Sequence, residues 1–153
     1  MRHKFGLIFT AICIVIGGAL VTPSVQAQEG TRLNDDAGIY REFGEKAGLV
    51  TIMDDFMINL LKDPRTKPAF EDADQNRIKA QLVDQICFIL NGPCEYKGAK
   101  MKPIHANVGI NRENFNALVE QLQFAMDKNH VPFRAQNKLL AVLAPMHRDI
   151  ITN

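Results

Sequence analysis

One histidine stands out because of where it lies in the sequence. His105 belongs to the stretch Met101–Ile110, after a Gly-Pro loop and ahead of a helix that is predicted to begin near Asn111. A neutral imidazole can bind a metal through one ring nitrogen while the other donates a hydrogen bond that orients the ring. Because a lone histidine is weak evidence for a metal site, the spacing alone fits an ordinary loop histidine better. His130, at a helix end, and His147, in the last helix, are expected at the surface.

Two cysteines, Cys87 and Cys94, flank the Gly-Pro loop. A disulfide between them is predicted if the protein is exported to an oxidising compartment. Closing so short a loop would stabilise the fold by about 2.5 kcal/mol in the chain-entropy treatment. The alternative is two free or separately buried thiols. A metal site is disfavoured because no further cysteine or histidine flanks the pair.

The elements around these residues are predicted to be helical throughout, which makes the fold class all-α. Apolar residues recur at intervals of three and four in four long segments, and no useful stretch alternates with period two. A short helix is expected over residues 37–43, and turns are expected over residues 67–70 and 101–105. The long helices are predicted over residues 49–61, 76–90, 111–126 and 133–150, with Asp74 and Asn111 as N-caps and Pro145 as a kink. One histidine held between two core helices of such a domain suggests a haem protein with a single protein axial ligand.

The N-terminus has the order of a secretory signal. Arg2 and Lys4 precede an apolar run, and Val25-Gln26-Ala27 forms a small-x-small cleavage pattern, so residues 1–27 are predicted to be removed. A retained membrane anchor is the alternative. Residues 28–36 are expected to be flexible and residues 37–150 to form one domain. The mature chain would be periplasmic, without a stable membrane anchor.

The charge balance argues against two classes of partner. The whole chain has a formal charge of +1, from 18 basic and 17 acidic residues. Removal of Arg2 and Lys4 with the signal would leave 16 basic residues and a charge of −1. A chain so close to neutral has no broad electrostatic attraction for nucleic acid or for an anionic membrane.

The order of short motifs resembles the truncated haemoglobins, most closely group I. The resemblance covers residues 37–150 and depends on the order and spacing of the fragments rather than on any single one. The fragments are Phe-Gly-Glu-Lys-Ala-Gly-Leu (43–49), Asp-Asp-Phe-Met (54–57), Arg-Ile-Lys-Ala-Gln-Leu-Val (77–83), Gly-Pro (92–93), Tyr-Lys-Gly (96–98), Met-Lys-Pro-Ile-His (101–105), Gly-Ile (109–110), Asn-Phe (114–115), Val-Pro (131–132) and Leu-Ala-Pro (143–145).

The resemblance implies a two-over-two helical sandwich that encloses haem b, with His105 as the proximal iron ligand and O2, NO or CO as the ligand on the other side. No Cys-x-x-Cys-His motif occurs, so the haem is expected to be non-covalent. Lys102, and Arg77 or Lys79, would reach the haem propionates, whereas Asp54 and Asp55 are expected on solvated faces. The expected haem contacts are His105, Phe56, Met57, Phe70, Arg77, Ile78, Gln81, Leu82, Met101, Lys102 and Phe115.

The distal side departs from the family pattern. Met57 stands where group I proteins typically carry a tyrosine that faces the ligand, and apolar Ile78 and Leu82 stand where a glutamine is common. The nearest alternative donors are Gln81 and Gln85. We therefore expect dioxygen to be held loosely or the ferrous protein to oxidise quickly. The Met57 sulfur is also a candidate sixth ligand of the iron.

Three classes of function follow from these features. The first is a globin that binds oxygen or another diatomic gas. The second is a periplasmic haem protein that transfers electrons with a redox partner protein or reacts with peroxide or NO. The third is a helical interaction domain without haem. Nitric oxide dioxygenation, a group I activity, is disfavoured by Met57 at the tyrosine position.

Overall fold

The computed structural model describes residues 32–33 and 38–153, and this part of the chain is helical without a strand. The predicted signal peptide, residues 1–27, and most of the predicted flexible segment, residues 28–36, lie outside the described residues. No helix of the described part is long and apolar enough to cross a membrane. The helices are α1 (Ile39–Glu42), α2 (Glu45–Lys62), α3 (Gln75–Ile89), α4 (Met101–His105), α5 (Arg112–Lys128), α6 (Phe133–Leu143) and α7 (His147–Ile150), with 3-10 turns at Lys67–Ala69 and Ala144–Met146.

The long helices form two pairs. Helix α2 packs on α3, and α5 packs on α6, while α2 also contacts α5 and α3 contacts α6. The shared core buries one apolar stripe from each helix, because four amphipathic helices can shield their stripes only against one another. This is the two-over-two arrangement. The fully buried large side chains are Ile39, Phe43, Leu49, Ile52, Met53, Leu60, Cys87, Ile89, Leu90, Met126 and Leu139.

Both predicted N-caps are present. The Asp74 carboxylate accepts a hydrogen bond from the Arg77 backbone N–H at 3.0 Å and so begins α3. At the start of α5, the Asn111 side chain accepts from the Asn114 N–H at 2.9 Å, and the Asn114 side chain accepts from the Asn111 N–H at 3.0 Å. This reciprocal capping box satisfies two backbone donors that a helix start leaves without a partner.

The secondary structure differs from expectation most clearly at two places. The segment Met101–His105 is a short helix, not merely a turn, and it packs against α7. The last helix is not one kinked helix: α6 ends at Leu143, and Ala144–Met146 forms a 3-10 turn before α7 begins. Pro145 explains this break, because proline has no N–H to donate to the preceding turn.

The acidic side chain of Asp55 connects two of the long helices. The expectation that Asp55 lies on a solvated face is wrong, since its side chain is only 14% exposed and pairs with Lys128 at 2.6 Å. The Asn129 amide donates a second hydrogen bond to Asp55 at 2.9 Å. The hydrogen bond from Lys128 is the main cause of a lowered Asp55 pKa. Asp55 therefore fastens α2 to the end of α5.

Candidate functional site

The imidazole of His105 is held in one orientation by its own helix. Its Nδ1 lies 2.7 Å from the carbonyl oxygen of Met101, one turn earlier in α4. A carbonyl oxygen can only accept, so Nδ1 carries the proton and Nε2 keeps its lone pair. No residue of the described chain forms a hydrogen bond with Nε2. A half-buried, oriented imidazole with a free Nε2 is suited to bind a metal.

The C-terminal tail fixes the segment that follows His105. The carbonyl oxygen of Ile110 accepts hydrogen bonds from the N–H groups of Thr152 at 2.9 Å and Asn153 at 3.2 Å. The Asn153 side-chain amide also donates to the Gly109 carbonyl oxygen at 3.0 Å. Gly109 has a φ of 73°, a conformation that glycine adopts without steric cost. These contacts between distant parts of the chain have no signal in the sequence.

A disulfide fixes the segment that precedes the histidine helix. Cys87, near the end of α3, is bonded to Cys94, with 5.9 Å between their Cα atoms. Gly92 lies inside the closed loop, and a Cβ there would come within 2.6 Å of the Cys87 sulfur and 2.7 Å of the Tyr40 ring. Only glycine fits between these two groups. The disulfide thus anchors the chain in the core before it reaches α4.

The predicted apolar contacts fall into two groups. Phe56 and Met57 are buried in α2, with 3% and 4% of their surface exposed. Ile78 and Leu82 on α3, and Phe70 before it, are half-buried and pack on the margin of the same core. Two more predicted contacts, Met101 and Phe115, are half-buried. The Phe115 ring also meets the His147 ring edge-on, with 6.3 Å between centroids.

The predicted polar contacts lie at the surface. Arg77, Lys102 and Gln81 are exposed, so the first two can reach propionate groups at the edge of a haem. Lys79, the alternative to Arg77, instead pairs with Asp54 at 2.6 Å. Gln81 and Gln85 lie one turn apart on α3 but differ in burial, since Gln85 is only 6% exposed. As expected, His130 and His147 are exposed.

These residues fit a haem. A haem needs an axial donor, apolar cover for its faces and a polar edge for its propionates. His105 supplies an oriented nitrogen, and Arg77 and Lys102 lie in solvent. Several apolar side chains remain partly exposed, as is expected of surface that a flat apolar cofactor would cover. They are Phe70, Ile78, Leu82, Ile104, Val108, Phe115 and Leu118.

Comparison with protein families matches the model of the bacterial-like globins to residues 38–152. The chain is 29% identical over 121 residues to the group 1 truncated hemoglobin GlbN of Mycolicibacterium paratuberculosis, which covers 79% of this chain and 89% of that protein. It is 24% identical over 119 residues to the group 1 truncated hemoglobin of Tetrahymena pyriformis, which covers 78% of this chain and 98% of the relative.

Solved structures share the fold. The Fe(III) form of the truncated hemoglobin from Tetrahymena pyriformis superposes with a TM-score of 0.71 at 24% identity, over 75% of this chain and 98% of that chain. The 2/2 hemoglobin of Synechococcus sp., in the cyanomet state with covalently attached heme, superposes with a TM-score of 0.68 at 21% identity, over 75% and 98% of the two chains. At these levels of sequence identity, the structural similarity shows only that the helix arrangement is shared.

Proposed function

The chain belongs to the bacterial-like globin family as a group I truncated haemoglobin, and on that premise we propose that His105 is the proximal ligand of its haem. The cofactor is haem, and we expect this chain to hold it non-covalently. Its iron supplies the open position at which a diatomic gas binds reversibly. The observation that carries the proposal is the hydrogen bond from His105 Nδ1–H to the Met101 carbonyl oxygen, which leaves Nε2 for the iron.

The residues of this chain would have different roles on the two sides of the haem. On the proximal side, the Met101 carbonyl fixes the tautomer of His105, and the disulfide and the C-terminal tail hold the two ends of its segment. On the other side, Met57, Ile78 and Leu82 form an apolar wall that excludes water. The proposed function is to bind oxygen or another diatomic ligand, such as NO or CO, in this apolar site.

A spectroscopic experiment tests this proposal. Protein purified with its haem should show a Soret band, and His105→Gly should lose it or regain it only when imidazole is added to replace the ligand. His130→Asn is the matched control, because His130 is exposed and has a φ of 57°, which asparagine tolerates. Unchanged haem spectra in His105→Gly would overturn the assignment. Absence of haem from the unaltered protein would instead favour a helical interaction domain.

A second function is favoured by the apolar character of the distal side. Met57, Ile78 and Leu82 offer no hydrogen-bond donor to a bound gas, and the Met57 sulfur is a candidate sixth ligand that would raise the haem potential. Such a protein would transfer electrons or react with peroxide or NO. A five-coordinate ferrous spectrum, unchanged by Met57→Leu, argues against sulfur ligation. A redox titration of the same two proteins gives the potential.

We also propose that the protein is exported to the periplasm. The basic, apolar and small-residue order of residues 1–27 supports this, and so does the Cys87–Cys94 disulfide, because such bonds persist in oxidising compartments. Mass spectrometry of protein from the periplasmic fraction should give a mature chain that begins at Gln28. Intact Met1 on cytoplasmic protein would contradict the proposal.

A further inference from the structure

One of the buried polar side chains has a much weaker hydrogen-bond partner than the other buried polar side chains. The described residues contain four buried polar side chains: Thr66, Gln85, Gln121 and Gln136. The Thr66 hydroxyl donates to the Leu60 carbonyl oxygen at 2.7 Å. The amides of Gln121 and Gln136 each donate to an aspartate oxygen at 2.7 Å. Among the residues that the structure describes, the Gln85 amide has the Met146 sulfur as its only hydrogen-bond partner, at 3.9 Å.

A thioether sulfur is a weak acceptor, so Gln85 retains most of its capacity to donate. Burying an amide without a good partner is unfavourable by a free energy comparable to a lost hydrogen bond. Native proteins rarely leave such a group in place without a reason, and functional sites are where the exceptions occur. The weak acceptor opposite Gln85 therefore indicates that its amide donates a hydrogen bond to a ligand.

The position of Gln85 on its helix indicates where such a ligand would lie. Ile78, Leu82 and Gln85 follow one another at spacings of four and three, so they share one face of α3. This is the face assigned to the distal side of the haem. Gln81 belongs to it by the same spacing, and Ile78 and Leu82 are apolar. Gln81, the other candidate donor, is exposed to solvent, where water satisfies its amide.

We propose that the Gln85 Nε2–H group donates the hydrogen bond to the bound diatomic ligand and so determines which gases this site retains. The inference rests on the proposed function, since it requires a haem ligated by His105. Gln85 would take the role that a tyrosine at residue 57, or a glutamine at residue 78 or 82, has in relatives. The amide would exchange a weak sulfur acceptor for the more polar ligand when the ligand binds.

The principal test replaces the amide by an apolar side chain. Gln85→Leu and the unbranched Gln85→Met should raise the oxygen dissociation rate by about 10- to 100-fold. This is the change expected when one hydrogen bond with charge-assisted character is lost. The stretching frequency of bound CO should rise, because a donor near the CO oxygen lowers it. Two variants are used because one of them alone may pack badly.

Two control variants separate this role from a structural one. Met146→Leu removes the sulfur but keeps the amide, and Gln81→Leu removes the exposed glutamine, so neither should change the dissociation rate or the CO frequency. If Gln85 merely tethers α3 to the end of the fold, Met146→Leu will reproduce the effect of Gln85→Leu, and the donor assignment is overturned. A haem-loaded Gln85→Met protein with unaltered rate and frequency overturns it equally.

A measurement without haem gives an independent readout. The urea midpoint of haem-free Gln85→Leu should equal or exceed that of the unaltered chain, because the buried amide has no strong partner to lose. A clear decrease would show that the amide stabilises the fold and would contradict the inference. Failure of the unaltered protein to bind haem would remove the proposed function itself, and this result is recognised by its missing Soret band.

Discussion

The sulfur atoms of Cys87 and Cys94 are bonded, and Cys87 has no exposed surface. This bond joins the end of α3, on the distal side of the proposed haem site, to the irregular segment that leads to His105 on the proximal side. Residues 95–100 of that segment have no helix of their own. The disulfide is therefore the covalent constraint closest to the proposed iron ligand.

Removing this constraint should destabilise the protein. The Cys87→Ala/Cys94→Ala variant is expected to lose about 2.5 kcal/mol of unfolding free energy, because the unfolded chain is no longer closed into a loop. Urea unfolding with and without a reductant measures the effect. The reductant should lower the midpoint of the unaltered protein and leave the double variant unchanged. Equal midpoints for the unaltered protein in both conditions would contradict this account.

The carboxylate of Asp63 should make stability depend on acid pH. Hydrogen bonds from the Arg65 side chain, its backbone N–H and the Gln121 amide lower the Asp63 pKa to about 2. Because the pKa is lowered in the folded state, the contribution to stability is present at neutral pH. It is lost as the pH falls from about 4 toward 2.

Asp63→Asn is the corresponding variant. It should be less stable than the unaltered protein at pH 7, and the difference should shrink as the pH falls through this range. NMR titration of the Asp63 carboxyl measures its pKa directly, and a midpoint near 3.8 would refute the prediction. Glu71→Gln is the control, since Glu71 pairs with Lys67 at 3.4 Å and both side chains are exposed.

Met57→Tyr should restore the distal hydroxyl that group I relatives typically carry. Met57 is 4% exposed within α2, and a tyrosine at this position would offer its O–H to the bound ligand. Oxygen dissociation is expected to slow by about 10- to 100-fold, the range that one such hydrogen bond supplies. Met57→Phe carries the same ring without the hydroxyl and should not slow it. Equal rates in both variants would mean that residue 57 does not face the ligand.

The capping box at the start of α5 should contribute measurably to stability. Asn111→Ala removes the acceptor for the Asn114 N–H and is expected to lower the unfolding free energy by about 1 kcal/mol. Asn116→Ala, at an exposed position in the same helix, should be neutral or slightly stabilising because alanine favours helix. Thermal unfolding of both variants measures this, and a loss of equal size at Asn116 would speak against a specific cap.

Much of the fold is predictable from local pattern. The long helices follow from apolar spacing, and Asp74 and Asn111 cap the helices they were expected to cap, since a cap involves only neighbouring residues. A kink at Pro145 was expected for the same local reason, whereas the helix ends at Leu143 and a 3-10 turn follows. The helix at Met101–His105 was underestimated because its stability comes from packing on α7, which the local sequence does not contain.

The sequence by itself determined the all-helical class and the family, because these depend on periodicity and on motif order along the chain, and it led to the proposal that His105 binds the iron. Only the tertiary structure decided the partners and the burial of individual side chains. It placed residues 152–153 against Gly109 and Ile110, paired Asp55 with Lys128, and left Gln81 exposed while burying Gln85. Burial and partner choice depend on which distant segments meet, and no spacing between neighbours encodes that.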